Sequence, residues 1–274
     1  MTVAGRLGLA VVGAALAETV LALLTAAPPG GAELWSRSNH RGQRVSLLAG
    51  PAVAAAATVT ACASGVPSMP AAAFVAGAGG GLVGVYDDLA GSRPGQQPDK
   101  GFTGHLRALR DGRVSSGLVK LAVVGVTGLL AGRSIGRGPL DRLVAGGVIS
   151  GTANLLNLLD LRPGRAIKAA LLLGVPLLSG PQGPLIAGPL GAAAAVLRHD
   201  LAEEVMLGDG GANALGAILG VRVALAGGPG WRGAVLVVLV LLTAASERVS
   251  FTRVIEASPV LRQLDALGRR PVTG

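Results

Sequence analysis

The sequence predicts an all-α fold, a polytopic transmembrane helix bundle of about nine spans with its N-terminus outside and its C-terminal tail cytoplasmic. Three observations lead there. Half of the 274 residues are hydrophobic and only 14% are charged, against roughly a quarter charged in soluble domains. The apolar residues come in successive blocks, most of them about as long as a helix needs to cross roughly 30 Å of hydrocarbon. About 17 of the 24 Lys and Arg residues fall in loops that one orientation places in the cytoplasm, where basic residues favour lying.

The first block, 3–25, has only Arg6 as a positive flank and is followed by further spans. It therefore reads as a retained first helix rather than a signal peptide. The second, 46–65, holds Cys62, the only cysteine, which excludes an intrachain disulfide or a thiolate cluster and suits a small buried hydrophobe. The third, 70–86, carries Gly77, Gly80, Gly81 and Gly84, a spacing that lets helix backbones pack closely in lipid. Spans at 114–132 and 139–158 follow. Those at 166–180 and 183–198 are divided by Gly180, Pro181 and Gly183, and the last two lie at 211–226 and 231–246. Trp35 and Trp231 sit at segment ends, where interfacial anchors belong. The whole chain reads as a single domain, 1–274, with spans from 3 to 246 and a tail over 247–274. Net charge is +9, but it lies in loops without interleaved aromatics. That favours anionic headgroups and phosphates and argues against a nucleic-acid partner.

Acids and amides near helix ends carry the information, because burying them in lipid is costly. Asp87-Asp88 follows the Gly-rich span. Adjacent carboxylates repel unless a cation or proton is shared, so the pair is either a solvated helix end or a metal or general-base pair. Asn154, Asn157 and Asp160 end the fifth span at i, i+3, i+6, on one helix flank. They act as hydrogen-bond glue between helices or as ligand contacts. Asp209, in Gly208-Asp209-Gly210-Gly211, opens the eighth span as an N-cap or as a holder of Mg²⁺, a hard cation that takes carboxylate oxygens. Arg41, Arg44, Lys100, His105, Arg107 and Arg110 surround them. Acids suited to metal amid bases suited to phosphate point to phosphoryl transfer at a membrane surface. His40 and His199 read as polar loop residues. Glu18 and Lys120, inside the first and fourth spans, are the features a transporter would use, but no inverted repeat accompanies them.

The order of these motifs resembles the polyprenyl-phosphate N-acetylhexosamine-1-phosphate transferase superfamily, which includes the phospho-N-acetylmuramoyl-pentapeptide transferases. The resemblance covers residues 37–220 and rests on an Asp-Asp pair after a Gly-rich span, an N-x-x-N-x-x-D helix end and a G-D-x-G helix start. It implies transfer of a sugar-1-phosphate from a UDP-amino sugar to a polyprenyl phosphate at the cytoplasmic face of a bacterial plasma membrane. UMP is released, in cell-wall glycan synthesis such as that of peptidoglycan. It also implies that Asp87 and Asp88 are catalytic, that Asp209 and Asn154 hold Mg²⁺, and that Asp160 lies beside the uridine. Asn157, Lys100, His105, Arg41, Arg248 and Arg253 are the further candidates to bind substrate, from their polar or basic side chains near these acids. The implied partners are the lipid, the UDP-sugar and membrane lipids, and a homodimer is compatible with them. Three departures weigh against activity. Gly91 stands where D-D-x-x-K has lysine, Pro163 replaces a second acid, and no histidine follows His199. Arg248 and Arg253 are the candidates to replace the missing histidine loop, since guanidinium binds phosphate bidentately. The alternative is a non-catalytic relative that binds polyprenyl phosphate or a cell-envelope partner.

Overall fold

The structure is a computed structural model that describes residues 1–90, 110 and 116–270. Eleven α-helices account for most of it. In chain order they are α1 (Val3–Ala26), α2 (Ala49–Cys62), α3 (Pro70–Ala90), α4 (Ser116–Gly132), α5 (Pro139–Leu159), α6 (Arg165–Gly174), α7 (Pro184–Leu201), α8 (Gly208–Ala224), α9 (Pro229–Ser246), α10 (Phe251–Ala257) and α11 (Pro259–Ala266). A two-stranded antiparallel hairpin, β1 (Ser36–Ser38) and β2 (Arg44–Ser46), lies between α1 and α2, with Ser36 opposite Ser46. Its turn is set by Asn39, whose side-chain oxygen accepts from the Arg41 and Gln43 amides at 2.8 and 2.9 Å.

Nine helical segments stand where the sequence places nine spans, and two of them, α1 and α9, are long and apolar enough to cross a membrane. The others fall short for identifiable reasons. Glycines dilute the hydropathy of α3. Helices α2 and α4 have 14 and 17 residues. Helix α6 has 10 residues, about 15 Å of rise, half of a hydrocarbon core. It ends in a 3₁₀ turn at Pro176–Leu178, so this segment is a broken helix rather than the single span expected over 166–180.

Helix α8 is the axis of the bundle. Nearly every residue from Gly208 to Ala224 is buried, and α3, α5 and α2 pack around it. Glycine makes the closest approach possible. A Cβ on Gly84 would lie 2.2 Å from the Asp209 carbonyl oxygen, and one on Gly80 would lie 2.9 Å from that of Asn213. The backbones of α3 and α8 are thus in direct contact along their length. Helix α1 meets α7 in the same way, with Gly13 against the Gly188 carbonyl and Gly191 against that of Ala10. Apolar side chains of α1 and α9, including Leu7, Val11, Val237 and Leu241, point outward and are exposed. Such outward apolar surface suits lipid and would be costly against water.

Candidate functional site

Helices α3 and α8 run so that the C-terminal turn of one meets the N-terminal turn of the other. Asp88 uses this meeting. Its two carboxylate oxygens accept from the backbone amides of Asp209 and Gly210, at 3.1 and 3.0 Å. The first turn of a helix has amides without intrahelical partners and a positive dipole end, so an acid from a neighbouring helix caps it. The Arg37 guanidinium also donates to the Asp88 carbonyl oxygen, tying hairpin to helix. Asp209 is therefore not a self-contained N-cap; Asp88 does that work and leaves the Asp209 carboxylate to face elsewhere.

It faces Lys120. The ammonium enters from α4, within ion-pair contact of Asp209 and 3.3 Å from Asp87. Asn157 of α5 completes the group. In the amide orientation that satisfies both neighbours, it donates to Asp209 Oδ1 at 2.6 Å and accepts from Lys120 Nζ at 2.8 Å. Three distant helix termini and a fourth helix thus meet at one end of the bundle. A lysine does stand beside the acidic pair, although it comes from another helix and not from the following residues.

Asn154, expected beside the metal, is turned away. It donates to the Thr243 hydroxyl of α9 at 3.1 Å, the interhelical glue that the spacing also allowed. One turn along the same helix, Asn157 has the place expected of Asn154. Asp160 caps the end of α5 and lines a cavity of about 220 Å³ with Asp200, Glu203, Arg162, Asn39 and His40. That volume is below the roughly 300–1,000 Å³ of complete small-molecule pockets, so it accommodates one part of a larger ligand. Burial first, then the carboxylates of Asp200, Asp209 and Asp88, push the Asp160 carboxyl well above its ordinary value. Burial and the Arg162 charge hold His40 below its own.

The basic groups are distributed differently from the expectation. Lys100 and His105 lie outside the described residues. Arg41 pairs with buried Glu203 at 3.3 Å and donates to the Arg270 carbonyl oxygen at 3.0 Å. Arg248 and Arg253 are exposed on the segment after α9. The tail arginine that reaches the cavity rim is Arg269, which donates to the Pro163 carbonyl oxygen at 2.9 Å. His199 lies between Glu204, at 2.9 Å, and Glu18 of α1, at 3.3 Å.

Sequence reasoning missed Lys120 as a site residue and did not weigh Asp200, Glu203 or Arg269. Lys120 had a legible signal: a lone ammonium one turn inside an apolar helix needs an acid partner. Glu203 had none, since its role follows from a left-handed backbone, φ 55°, that turns its side chain inward.

Asp87, Asp209 and the Asn157 amide offer hard oxygen atoms of the kind Mg²⁺ takes. Among the described residues no three His, Cys, Asp or Glu side chains form a ready metal cage, and Lys120 supplies positive charge at the centre of the acids. Two carboxylates and one amide are donors of the kind used by an ion that keeps several of its waters.

No protein-family model matches the chain, and no curated protein matches it closely enough to count.

Proposed function

We propose that this chain is a multi-pass protein of a bacterial plasma membrane that transfers a sugar-1-phosphate from a UDP-amino sugar to a polyprenyl phosphate, releasing UMP. The observation that carries this reading is the meeting of Asp87, Asp88, Asn157, Lys120 and Asp209 at one bundle end, beside the cavity that Asp160 lines. The order of motifs that resembles the polyprenyl-phosphate transferases adds to it.

In this reaction an oxygen of the lipid phosphate attacks the β-phosphorus of the UDP-sugar. The bond from that phosphorus to the bridging oxygen breaks, and the electron pair leaves on UMP. Asp209, with Asp87 and Asn157 as further donors, would hold Mg²⁺, which would supply neutralisation of the diphosphate charge. Asp87, at the mouth of the site, accepts a proton from the lipid phosphate or keeps it ionised. Asp88 positions Asp209 by capping α8. Lys120 holds the acids together and offers its ammonium to phosphate oxygens. The small cavity takes the nucleoside end, with Asp160 and Asp200 as acceptors for N–H and O–H donors.

Purified chain in detergent or liposomes, given undecaprenyl or decaprenyl phosphate, a panel of UDP-sugars and Mg²⁺, is expected to release UMP. Asp209→Asn is expected to lower the rate at least about 100-fold, the scale of losing a metal-ligand acid. No turnover with any pair, where a control transferase works, overturns the reading.

Two observations favour the alternative, a non-catalytic relative that binds the lipid phosphate. Lys120 already pairs with both Asp87 and Asp209, and the tail lacks histidine. On that reading Asp209→Asn still complements a deletion strain; on the transferase reading it does not.

A further inference from the structure

Helices α10 and α11 fold back onto the bundle end that carries the acids, and their attachment is polar. Arg165 at the start of α6 forms a paired contact with Asp265, Nε to Oδ1 at 2.8 Å and Nη2 to Oδ2 at 3.0 Å, and reaches Thr252 at 2.9 Å. Lys168 Nζ donates to the carbonyl oxygens of Leu264, Asp265 and Leu267 at 3.2, 2.6 and 2.9 Å, closing the C-terminal turn of α11. These contacts fix the rotation of α11 about its own axis, with Asp265 turned to the bundle.

At 3.6 residues per turn, Leu261, Leu264, Val260 and Leu267 then follow round one side of the helix within an arc of about 120°. Arg262, Ala266 and Gln263 occupy the other side. The apolar side is uncovered: Val260 is 66% exposed, Leu261 43%, Leu264 44% and Leu267 67%. Such a surface next to water is unfavourable. A helix with one apolar face and a polar face that carries basic residues is built to lie in a membrane interface. The exposed arginines of this segment, Arg248, Arg253, Arg262 and Arg270, complement anionic headgroups. Each such residue near the surface adds attraction to an anionic leaflet.

We propose that α11 is an interfacial anchor, lying in the headgroup layer of the leaflet at the acidic end of the bundle with Val260, Leu261, Leu264 and Leu267 inserted among the acyl chains. The occupant of the apolar face is the lipid surface itself. The inference rests on the membrane reading above and gives the tail a task of its own. Arg269 and Arg270 connect α11 to Pro163 and Arg41, so the anchor also holds the cavity rim level with the lipid substrate.

The test uses the full chain in a Cys62→Ser background, reconstituted in vesicles with anionic lipid. An environment-sensitive fluorophore is attached at Leu264→Cys, Gln263→Cys or Val237→Cys. The Leu264 probe is expected to be quenched at least twofold more by nitroxide lipids than by aqueous iodide, and the Gln263 probe the reverse. In purely zwitterionic vesicles the lipid quenching at Leu264 is expected to weaken severalfold; unchanged quenching removes the arginines from the anchor. Iodide access at Leu264 equal to that at Gln263, with Val237 on α9 still quenched by lipid, overturns the anchor and leaves the membrane reading standing. Iodide access at Val237 overturns both. Protection of Leu264 from both quenchers points to a protein cover and overturns the proposal. Val260→Cys, on the same face, repeats the measurement should the Leu264 variant fail to fold.

Discussion

Two adjacent carboxylates with the same side chain have different work here. Asp88 gives both oxygens to amides of the α8 N-terminus, whereas Asp87 faces the Lys120 ammonium. Charge-assisted bonds to a helix N-terminus contribute about 1–2 kcal/mol. Asp88→Asn is therefore expected to lower both the melting temperature and UMP release, because the amide keeps one acceptor and loses the charge. Asp87→Asn is expected to lower UMP release at least about tenfold with little change in melting temperature, read by the same thermal scan. Equal thermal losses would contradict the division of labour. The acids themselves were legible in the sequence, because a carboxylate at the end of an apolar run has few cheap explanations. Their partners were not. Whether Asn154 or Asn157 turns toward Asp209 depends on the rotation of α5, about 300° over three residues, and packing against α9 decides it.

Between elements, glycine governs the geometry. The backbone contact of Gly84 with the Asp209 carbonyl oxygen leaves no room for a methyl group: the added Cβ would sit 2.2 Å from that atom, and a backbone atom cannot swing aside. Gly84→Ala is expected to destabilise the bundle by about 1–3 kcal/mol and to reduce UMP release more than thermal stability, since it pushes Asp209 away from Asp87. Gly65→Ser, on a loop with open space at its Cβ but a positive φ of 70°, serves as a control whose small loss leaves the site intact. A melting curve and a UMP assay on both variants separate the two effects. The small-residue spacing in α3 announced close packing but not its partner. Of the nine helical segments, the boundaries were readable from apolar blocks and Gly-Pro breaks. The break inside 166–180 was harder to read, because a 3₁₀ turn at Pro176 is only locally encoded.

At the scale of the whole chain, the tail is tied across the bundle end rather than left loose. Burial raises the Asp265 carboxyl, but the hydrogen bonds and charges of Arg165 and Arg269 outweigh burial and hold it below its ordinary value of 3.8. For an acid with a lowered value, the stabilising charge is fully present above the free-chain value and is lost as pH falls through the docked one. Trypsin cleavage in the tail is accordingly expected to stay slow from pH 8 down to pH 5. Asp265→Asn is expected to speed it severalfold at every pH in that range, and cleavage equal to that of the unaltered chain would show that the carboxylate does not hold the tail. Lys120 has a different reach. Where metal-binding acids have no other counter-charge, a protein assembles only as fast as its ion arrives. Here the chain supplies its own cation, from a helix far along the sequence, and the acids can settle beside it while the bundle is still forming. On the transferase reading, scarcity of magnesium would then silence the molecule without dismantling it, and a returning ion would find the arrangement waiting.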